Sequence, residues 1–286
     1  MAKRRTTGAV TRFAPSPTGE IHLGHAYSAL IAYAEGQGKT GRFLVRIEDI
    51  DPVRSKLEFE RSILNDLEWL GLEWEQPVRR QSRHIKDYRI ALDHLRRDGL
   101  IYPCFCTRKE ILAEIARAGH APHGLDGPIY PGTCRSIEQE KAENRIEMGE
   151  AYALRLDMSR AVSIVGPLTW FERSHGKINA QPERFGDVVL ARKDAPTSYH
   201  LAVTVDDHLQ GISLVTRGAD LSDATHVHRL LQSLLGYSTP EYYHHRLLTD
   251  ETGRRLAKRE GDVTIRALRE AGYTPDEVRM MTGYTG

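Results

Sequence analysis

Two histidines stand three positions apart where a helix is predicted to begin. Segment 12–25 reads Arg-Phe-Ala-Pro-Ser-Pro-Thr-Gly-Glu-Ile-His-Leu-Gly-His and contains His22 and His25. A β-prone run over 9–13 leads into it, and apolar residues at helical spacing follow it. The N–H groups and the dipole at a helix start favour an anion such as a triphosphate. Gly24 has no Cβ, so a flat base could lie against the backbone there.

An ordinary helix cap and surface turn could use the same residues. Turn chemistry accounts for the prolines and the glycine of this segment. It does not account for Arg12, two prolines and two histidines around one strand-to-helix junction. Segment 12–25 closely resembles the first signature of class I aminoacyl-tRNA synthetases, in the version found in the glutamyl and glutaminyl group. The resemblance implies that His22, Gly24 and His25 bind ATP and that both histidines take part in catalysis.

The second signature of that family is a loop of the Lys-Met-Ser-Lys-Ser type. The candidate here is segment 255–259, Arg-Leu-Ala-Lys-Arg, in which Arg255 replaces the first Lys and Ala257 removes the hydroxyl. The second Lys is kept as Lys258, which the resemblance assigns to catalysis at the α-phosphate of ATP. An ammonium there would stabilise the extra negative charge on five-coordinate phosphorus. A basic surface loop is the alternative interpretation.

Charge matching predicts residues that would bind glutamate, because two carboxylates and an ammonium need cations and at least one anion. Arg12 can form a bidentate pair with a carboxylate, and Arg217 stands at the end of a predicted strand, where a doubly wound sheet places ligands. Glu48 can accept the ammonium, and Tyr199 offers a hydroxyl and an aromatic wall. All four match positions that the family uses for glutamate. The resemblance adds residues of the first loop: Phe13, Ala14, Pro15 and Ser16.

These residues also have purely structural interpretations. The acidic segment 48–51 could form a solvated turn, and Arg217 could pair with Asp220. Tyr199 could belong to the core, since tyrosine is often partly buried.

All three cysteines of the chain fall in one short segment. Cys104 and Cys106 are one residue apart, and Cys134 follows them. Thiolates are the usual ligands of structural zinc, and a tetrahedral site needs four donors. Truncated paralogs of glutamyl-tRNA synthetase carry Cys-x-Cys and Tyr-x-x-x-Cys, and this resemblance implies Tyr130 as the fourth ligand.

Ligand frequency alone would instead favour a histidine as the fourth donor, either His120 or His123. Three unrelated free thiols are a further alternative, although random placement rarely clusters cysteines in this way. We expect one structural Zn²⁺ that holds segment 107–134, because no open catalytic position is implied.

Composition narrows the class of protein. The chain has 286 residues, of which 40% are hydrophobic and 28% charged, which suits one large or two modest domains. No apolar run reaches the length of a membrane span, and no apolar stretch follows the basic N-terminus, so neither a membrane segment nor a signal peptide is predicted. Three cysteines fit a reducing compartment, so we expect a cytoplasmic protein. The net charge of +1 neither requires nor excludes a nucleic-acid partner.

Strand and helix patterns alternate in the first and the last hundred residues. This alternation predicts an α/β fold, a Rossmann-like doubly wound parallel sheet with helices on both faces. The helices are expected over 23–36, 55–70, 83–98, 107–118, 137–148, 199–209, 223–235, 263–271 and 275–281. The strands are expected over 9–13, 42–47, 152–156, 162–165, 168–171, 188–191 and 212–217.

The middle of the chain interrupts this alternation. We expect 1–100 to form the first half of the catalytic domain and 101–187 an inserted α/β acceptor-type subdomain with the zinc site. Residues 188–286 would complete the catalytic domain with the 255–259 loop and two short helices. Only 28 residues follow Lys258, fewer than the roughly 50 that a domain needs, so we expect no anticodon-binding domain.

The chain resembles stand-alone paralogs of the catalytic half of glutamyl-tRNA synthetase over nearly its whole length. The resemblance implies that ATP, with Mg²⁺, and L-glutamate form glutamyl-adenylate. The glutamyl group then passes to queuosine in the anticodon of tRNA(Asp). We expect a monomer with no membrane partner. Two alternatives are a conventional glutamyl-tRNA synthetase that charges a 3′ end and a catalytically silent module that binds nucleotide or RNA.

Overall fold

The computed structural model describes residues 8–117, 123–124, 127–249 and 263–284. Lys258 and the whole 255–259 signature lie outside the described residues. So do His120 and the side chain of His123, the two histidines considered as zinc ligands.

The strands in the described residues are short, and most belong to the two halves of one central sheet. They are β1 (Val10–Phe13), β2 (Arg42–Ile47), β3 (Glu75–Arg80), β4 (Ile101–Cys104), β5 (His123–Gly124), β6 (Gly127–Pro128), β7 (Ala153–Leu156), β8 (Thr169–Glu172), β9 (Gly176–Asn179), β10 (Val189–Ala191), β11 (Leu214–Gly218) and β12 (Glu241–His245).

Most of the helices lie between these strands along the chain, and the last two follow β12. They are α1 (Leu23–Glu35), α2 (Leu57–Trp69), α3 (Ile85–Arg97), α4 (Arg108–Arg117), α5 (Gln139–Glu147), α6 (Met158–Val165), α7 (Tyr199–Leu209), α8 (Ala224–Leu234), α9 (Ile265–Glu270) and α10 (Pro275–Met281). No helix in the described ranges is long and apolar enough to cross a membrane.

The central sheet reverses its strand order between β1 and β11. One half has the order β1-β2-β3, all parallel. The other half has the order β11-β12-β8-β9, in which the first three strands are parallel and β9 is antiparallel. The halves meet where the backbone N–H of Ser213 donates to the carbonyl of Val10 at 3.0 Å. Ligands bind at the carboxyl ends of parallel strands beside such a reversal.

Strand β2 has buried side chains on both faces of the sheet. Side chains alternate along a strand, so Phe43, Val45 and Ile47 pack into a core shared with α1 and α2. Leu44 packs on the opposite face against Val215 of β11. The prediction of an α/β fold with a parallel sheet is confirmed.

The middle of the chain contains an antiparallel sheet with the order β10-β7-β4. Its buried residues Leu156 and Leu190 join the same hydrophobic cluster as Leu201 of α7 and Val227 of α8. This sheet therefore shares a core with the helices that carry the second half of the central sheet.

Residues 162–165 were predicted as a strand and lie instead in α6. The carboxylate of Asp157 accepts the backbone N–H of Arg160 at 3.0 Å and caps this helix. Met158 and Ala161 are buried on its inner face. The cap and this packing outweigh the strand preference of the β-branched residues.

Sequence patterns also miss β3, β4, β9 and β12. In β3, Glu75–Arg80, half of the residues are charged and one is proline, so the apolar alternation of a strand is absent. In β12, Glu241–His245, two histidines follow two tyrosines. Both strands are held by their neighbours in the sheet rather than by an apolar pattern.

Candidate active site

Two histidine rings stand at the start of α1. His22 Nδ1 accepts the backbone N–H of Gly24 at 3.0 Å, and His25 Nδ1 accepts that of His22 at 3.3 Å. The ring centroids lie 3.9 Å apart. A ring nitrogen that accepts carries no proton, so the proton of each neutral imidazole is on Nε2. The histidines do cap the helix, and the cap fixes both as Nε2–H donors.

Both rings line a cavity of about 540 Å³ at the carboxyl ends of β1 and β11. Among the described residues, every one that the sequence predicts for ATP or glutamate lines this cavity. They are Arg12, Phe13, Ala14, Pro15, Ser16, His22, Gly24, His25, Glu48, Tyr199 and Arg217.

Arg12 is buried in the wall of this cavity and already has a carboxylate partner. Its Nε donates to Asp207 Oδ1 at 2.9 Å, and its Nη2 to Asp207 Oδ2 at 3.3 Å. Its Nη1 donates to the carbonyl of Thr216 at 3.1 Å. Three of the five N–H groups of a guanidinium are used in this way, which leaves one on each Nη nitrogen. Asp207 thus fixes the orientation in which Arg12 meets a ligand.

Arg46, which sequence analysis missed, connects Asp207 to Glu48. The side chain is fully buried, and its Nη1 donates to Asp207 Oδ1 at 2.8 Å and to Gln210 Oε1 at 2.9 Å. Its Nη2 donates to Glu48 Oε1 at 3.2 Å. Burial opposes the charge of Arg46, but the carboxylates of Asp207, Asp206 and Glu48 outweigh burial and raise the pKa of Arg46. The sequence could have indicated Arg46, because it is an arginine within the apolar run of β2.

Glu48 faces the cavity, whereas Asp49 and Asp51 accept backbone hydrogen bonds outside it. Burial raises the pKa of Glu48, against the charges of Arg46 and Arg12. Asp49 accepts the backbone N–H of Ser82 at 2.8 Å, and Asp51 accepts those of residues 53 and 54. The acidic-turn interpretation therefore fits Asp51, whereas Asp49 holds Ser82 of a distant segment and Glu48 faces the cavity.

Arg217 binds neutral groups. Its Nε donates to His244 Nε2 at 3.1 Å, and its Nη1 to Tyr199 Oη at 3.1 Å and His228 Nδ1 at 3.2 Å. Its Nη2 donates to Thr225 Oγ1 at 2.7 Å. These hydrogen bonds account for the position of Arg217 without the pair to Asp220 that the sequence also allowed.

Tyr199 belongs to the cavity wall rather than to the core alone. Its hydroxyl accepts from Arg217, and its ring lines the cavity. Burial raises the pKa of Tyr199 against the charge of Arg217, so the phenol stays protonated and can donate a hydrogen bond.

The three cysteine thiols lie close together at the end of β4. The Sγ atoms of Cys104, Cys106 and Cys134 all lie within 4.8 Å of one another. The hydroxyl of Tyr130 lies 3.4 Å from Cys104 Sγ and 3.5 Å from Cys106 Sγ, and it accepts the backbone N–H of Cys134 at 2.9 Å. Three soft donors and one oxygen converge, which suits a tetrahedral zinc ion. The cysteine cluster can therefore hold a metal.

The comparison with known families identifies the domain. Residues 9–285 match the family described as tRNA synthetases class I (E and Q), catalytic domain. The match spans both halves of the central sheet and the cysteine cluster.

Related proteins and structures agree with this match. A Glutamyl-Q tRNA(Asp) synthetase of Rhodobacter capsulatus is 45% identical over 282 residues, which cover 96% of this chain and 99% of that protein. A Glutamate--tRNA ligase of Aquifex aeolicus is 38% identical over 93% of this chain, but only 54% of that longer protein is covered. The glutamate-tRNA synthetase structure from Elizabethkingia anophelis superposes with a TM-score of 0.71 at 26% identity, covering 93% of this chain and 54% of that one. The chain therefore belongs to the class I tRNA synthetase family of the E and Q group, whose catalytic domain it contains.

Proposed function

We propose that this ligase activates L-glutamate with ATP and transfers it to queuosine in the anticodon of tRNA(Asp). The relative from Rhodobacter capsulatus, which this chain covers almost completely, is named for glutamyl-Q tRNA(Asp) synthesis. One observation of the site supports the proposal that the protein activates glutamate. A single cavity collects Arg12, Glu48 and Arg217 beside the His22–His25 helix start, which matches an amino acid dicarboxylate next to a triphosphate.

ATP would bind at the start of α1. The positive end of the helix dipole and the Nε2–H groups of His22 and His25 favour phosphate oxygens, and Gly24 lets the base approach the backbone. Lys258 would stabilise the charge that develops on the α-phosphate. Mg²⁺ bound with ATP would supply further neutralisation of the phosphate charge.

Glutamate would bind across the cavity between its cationic and anionic groups. The N–H groups that Asp207 leaves on Arg12 suit a carboxylate, and the carboxylate of Glu48 suits the ammonium. Arg217 contributes its charge and Tyr199 its hydroxyl. Attack of the α-carboxylate on the α-phosphorus gives glutamyl-adenylate and pyrophosphate. A hydroxyl of the queuosine cyclopentenediol then attacks the mixed anhydride, and AMP leaves.

The cysteine cluster would hold one structural Zn²⁺. Cys104, Cys106 and Cys134 supply thiolates, and Tyr130 supplies the fourth donor. This ion would fasten segment 107–134 to β4 and has no part in the chemical steps.

The proposal also covers the cell compartment, the oligomeric state and the domain organisation. The protein works as a cytoplasmic monomer with two catalytic halves, 1–100 and 188–286. The inserted subdomain lies within 101–187, a segment that also contributes β8 and β9 to the central sheet.

Pyrophosphate exchange tests the activation step. We expect exchange that depends on glutamate and ATP and needs no tRNA. An absence of exchange in the presence and absence of tRNA would instead support the silent binding module, for which the Arg255 and Ala257 departures are the only argument. An absolute requirement for tRNA would support a conventional glutamyl-tRNA synthetase.

Attachment mapping tests the transfer step. Labelled glutamate is loaded onto queuosine-containing tRNA(Asp), and the tRNA is cut between the anticodon and the acceptor end. We expect the label on the anticodon fragment. Label on the 3′ fragment would overturn the anticodon assignment while leaving glutamate activation intact.

A further inference from the structure

Arg217 is surrounded by acceptors that carry no charge. Four of the five N–H groups of a guanidinium are engaged, with His244, His228, Tyr199 and Thr225 as acceptors. All four groups are neutral when each histidine is deprotonated. The remaining N–H and the positive charge are left for a ligand in the cavity.

The guanidinium determines the proton positions on both histidines. An arginine only donates hydrogen bonds, so His244 Nε2 and His228 Nδ1 must accept and carry no proton. The proton of His244 is then on Nδ1, which lies 2.5 Å from Glu172 Oε2. The proton of His228 is on Nε2, which lies 3.2 Å from His200 Nδ1. Each accepting tautomer is thus supported by a partner behind it.

Glu172 is built to hold His244. It is only 4% exposed, and its Oε1 accepts the backbone N–H of His244 at 3.1 Å while Oε2 faces the ring. The carboxylate therefore fixes both the ring orientation and the tautomer of His244. The ring of His244 lies between Glu172 and Arg217, so the Glu172 carboxylate bonds the imidazole rather than the guanidinium.

The two arginines of the cavity are therefore held in opposite ways. Arg12 is paired with a carboxylate, Asp207, whereas Arg217 is held by imidazoles. Burial and then the charge of Arg217 lower the pKa of His244 to about 4. The same causes lower the pKa of His228 well below its ordinary value. Both rings are neutral acceptors near pH 7.

We propose that His244 and His228 are positioning residues that fix Arg217 while leaving its charge to a substrate carboxylate, and that Glu172 sets the accepting tautomer of His244. This inference rests on the proposed function, because glutamate supplies the carboxylate. Replacing the imidazole by a carboxylate at the same place would neutralise Arg217 without removing its hydrogen bond.

Substitutions at His244 separate the hydrogen bond from simple packing. His244→Gln retains a neutral acceptor, and His244→Leu removes it. In pyrophosphate exchange, we expect His244→Leu to raise the KM for glutamate roughly 10-fold or more, as loss of a hydrogen bond to a charged group does. The KM for ATP should change little, and His244→Gln should recover most of the glutamate affinity. Equal effects of both variants on both substrates would overturn the positioning role.

The four neutral acceptors of Arg217, on His244, His228, Tyr199 and Thr225, are here called the cradle. A charge swap tests whether the neutrality of the cradle matters. The double variant Glu172→Gln with His244→Glu keeps one carboxylate in this pair and moves it onto Arg217. We expect the KM for glutamate to rise above that of the His244→Gln variant, with the KM for ATP unchanged. A KM for glutamate equal to that of wild type would show that the charge of Arg217 is not reserved for substrate.

A buried histidine outside the cradle serves as the matched control. His226 Nδ1 accepts the backbone N–H of Gln181 at 2.9 Å, and its ring packs edge-on against Trp170. His226→Gln should lower the unfolding temperature and leave the KM for glutamate unchanged. If His226→Gln shifted this KM as much as His244→Leu does, the effect of His244→Leu would reflect general destabilisation rather than the loss of a positioning residue.

Nitrogen NMR of ¹⁵N-histidine-labelled protein tests the cradle without any assay of activity. We expect His244 to be protonated on Nδ1 and His228 on Nε2 in the ligand-free protein. A proton on His244 Nε2 would overturn the proposal. If wild-type protein showed no glutamate-dependent exchange but had these tautomers, the proposed function would fail while the cradle geometry stood.

Discussion

Asp207 binds Arg12 side-on, with Oδ1 2.9 Å from Nε and Oδ2 3.3 Å from Nη2. The same Oδ1 accepts from the fully buried Arg46 at 2.8 Å. One carboxylate therefore holds two arginines, and Arg46 in turn reaches Glu48. The predicted cationic and anionic ends of the glutamate site belong to one buried network.

Asp207→Asn should destabilise the protein. Removing one charge from a buried ion pair leaves Arg46 under-compensated, so we expect the free energy of unfolding to fall by about 3 kcal/mol. Urea unfolding measures this loss. The matched control is Glu75→Gln, which removes the exposed partner of Arg42 and should cost less than about 1 kcal/mol. Equal losses in the two variants would contradict a special role for Asp207.

The Asp207 contribution should also depend on pH. Burial alone would raise the pKa of Asp207, but the charges of Arg12 and Arg46 outweigh it and lower that pKa. The stabilisation is therefore present above the unfolded-state pKa of about 4 and is lost as pH falls through the folded-state value. The stability difference between wild type and Asp207→Asn should be constant from pH 6 to 8 and shrink at low pH.

Asp66 should destabilise the protein at neutral pH. Burial raises its pKa to about 6 and outweighs the charge of Arg269, whose Nη1 lies 3.4 Å from Oδ1. Neither carboxylate oxygen accepts a hydrogen bond from the described residues. A carboxyl group with a raised folded-state pKa favours the unfolded state increasingly as pH rises from about 4 to that value. The change in the free energy of unfolding caused by Asp66→Asn should be about 2–3 kcal/mol more favourable at pH 8 than at pH 4. Urea unfolding at both pH values measures it.

The control for Asp66 is an exposed carboxylate of similar type. Asp93 lies on the surface beside Arg96, and exposed ion pairs contribute little to stability, so Asp93→Asn should have only a small effect at either pH. A pH-independent effect of Asp66→Asn would show that its carboxyl group titrates normally.

Sequence identified the cavity because much of its chemistry is local. Segment 12–25 contains the strand end, the loop and the helix start, so its proline, glycine and histidine content is visible in one window. The supports of the site are not local. Asp207 and Arg46 are 161 positions apart, and Glu172 and His244 are 72 apart. Nothing in a single sequence pairs such residues before the sheet brings them together.

The misread elements have a related cause. Strand β12 supplies His244, which accepts a hydrogen bond from Arg217, yet the polar composition of this strand hides its pattern. Segment 162–165 is β-branched and became helical because of a cap five residues upstream. Local propensity decided neither case, since sheet pairing and capping contribute more.

Cys106→Ser should remove the zinc and loosen the segment that it holds. Metal analysis of the wild-type protein should give about one zinc per chain, as expected of one four-ligand site. The variant should lose the metal, and protease cleavage within 107–134 should appear before ATP binding is affected. A metal-free wild-type preparation with full activity would contradict the zinc site.

Tyr130→Phe tests Tyr130 against the two histidines, His120 and His123, as the fourth zinc ligand. If the Tyr130 oxygen coordinates zinc, the variant should bind the metal more weakly than wild type, measured by competition with a chelator. His120→Ala and His123→Ala are the controls, and both should bind zinc as wild type does. The reverse result would assign the fourth position to a histidine.

Arg12 should select glutamate over glutamine and aspartate. A carboxylate accepts both N–H groups that Asp207 leaves on the Nη nitrogens, whereas an amide presents a donor to one of them. Aspartate keeps the charge but is one methylene too short to reach Arg12 while its ammonium stays on Glu48. In tRNA-free pyrophosphate exchange, wild type should therefore be active with glutamate and weak with the other two.

Arg12→Lys and Arg12→Ala separate charge from geometry at this position. Lysine keeps a charge that can pair with Asp207 but lacks the planar fork, so we expect a raised KM for glutamate and a smaller preference over glutamine. Alanine should nearly abolish exchange at any practical glutamate concentration. The KM for ATP should stay close to wild type in the lysine variant, because Arg46 and the introduced ammonium still neutralise Asp207. Unchanged discrimination against glutamine in Arg12→Lys would assign side-chain selection to Arg217 instead.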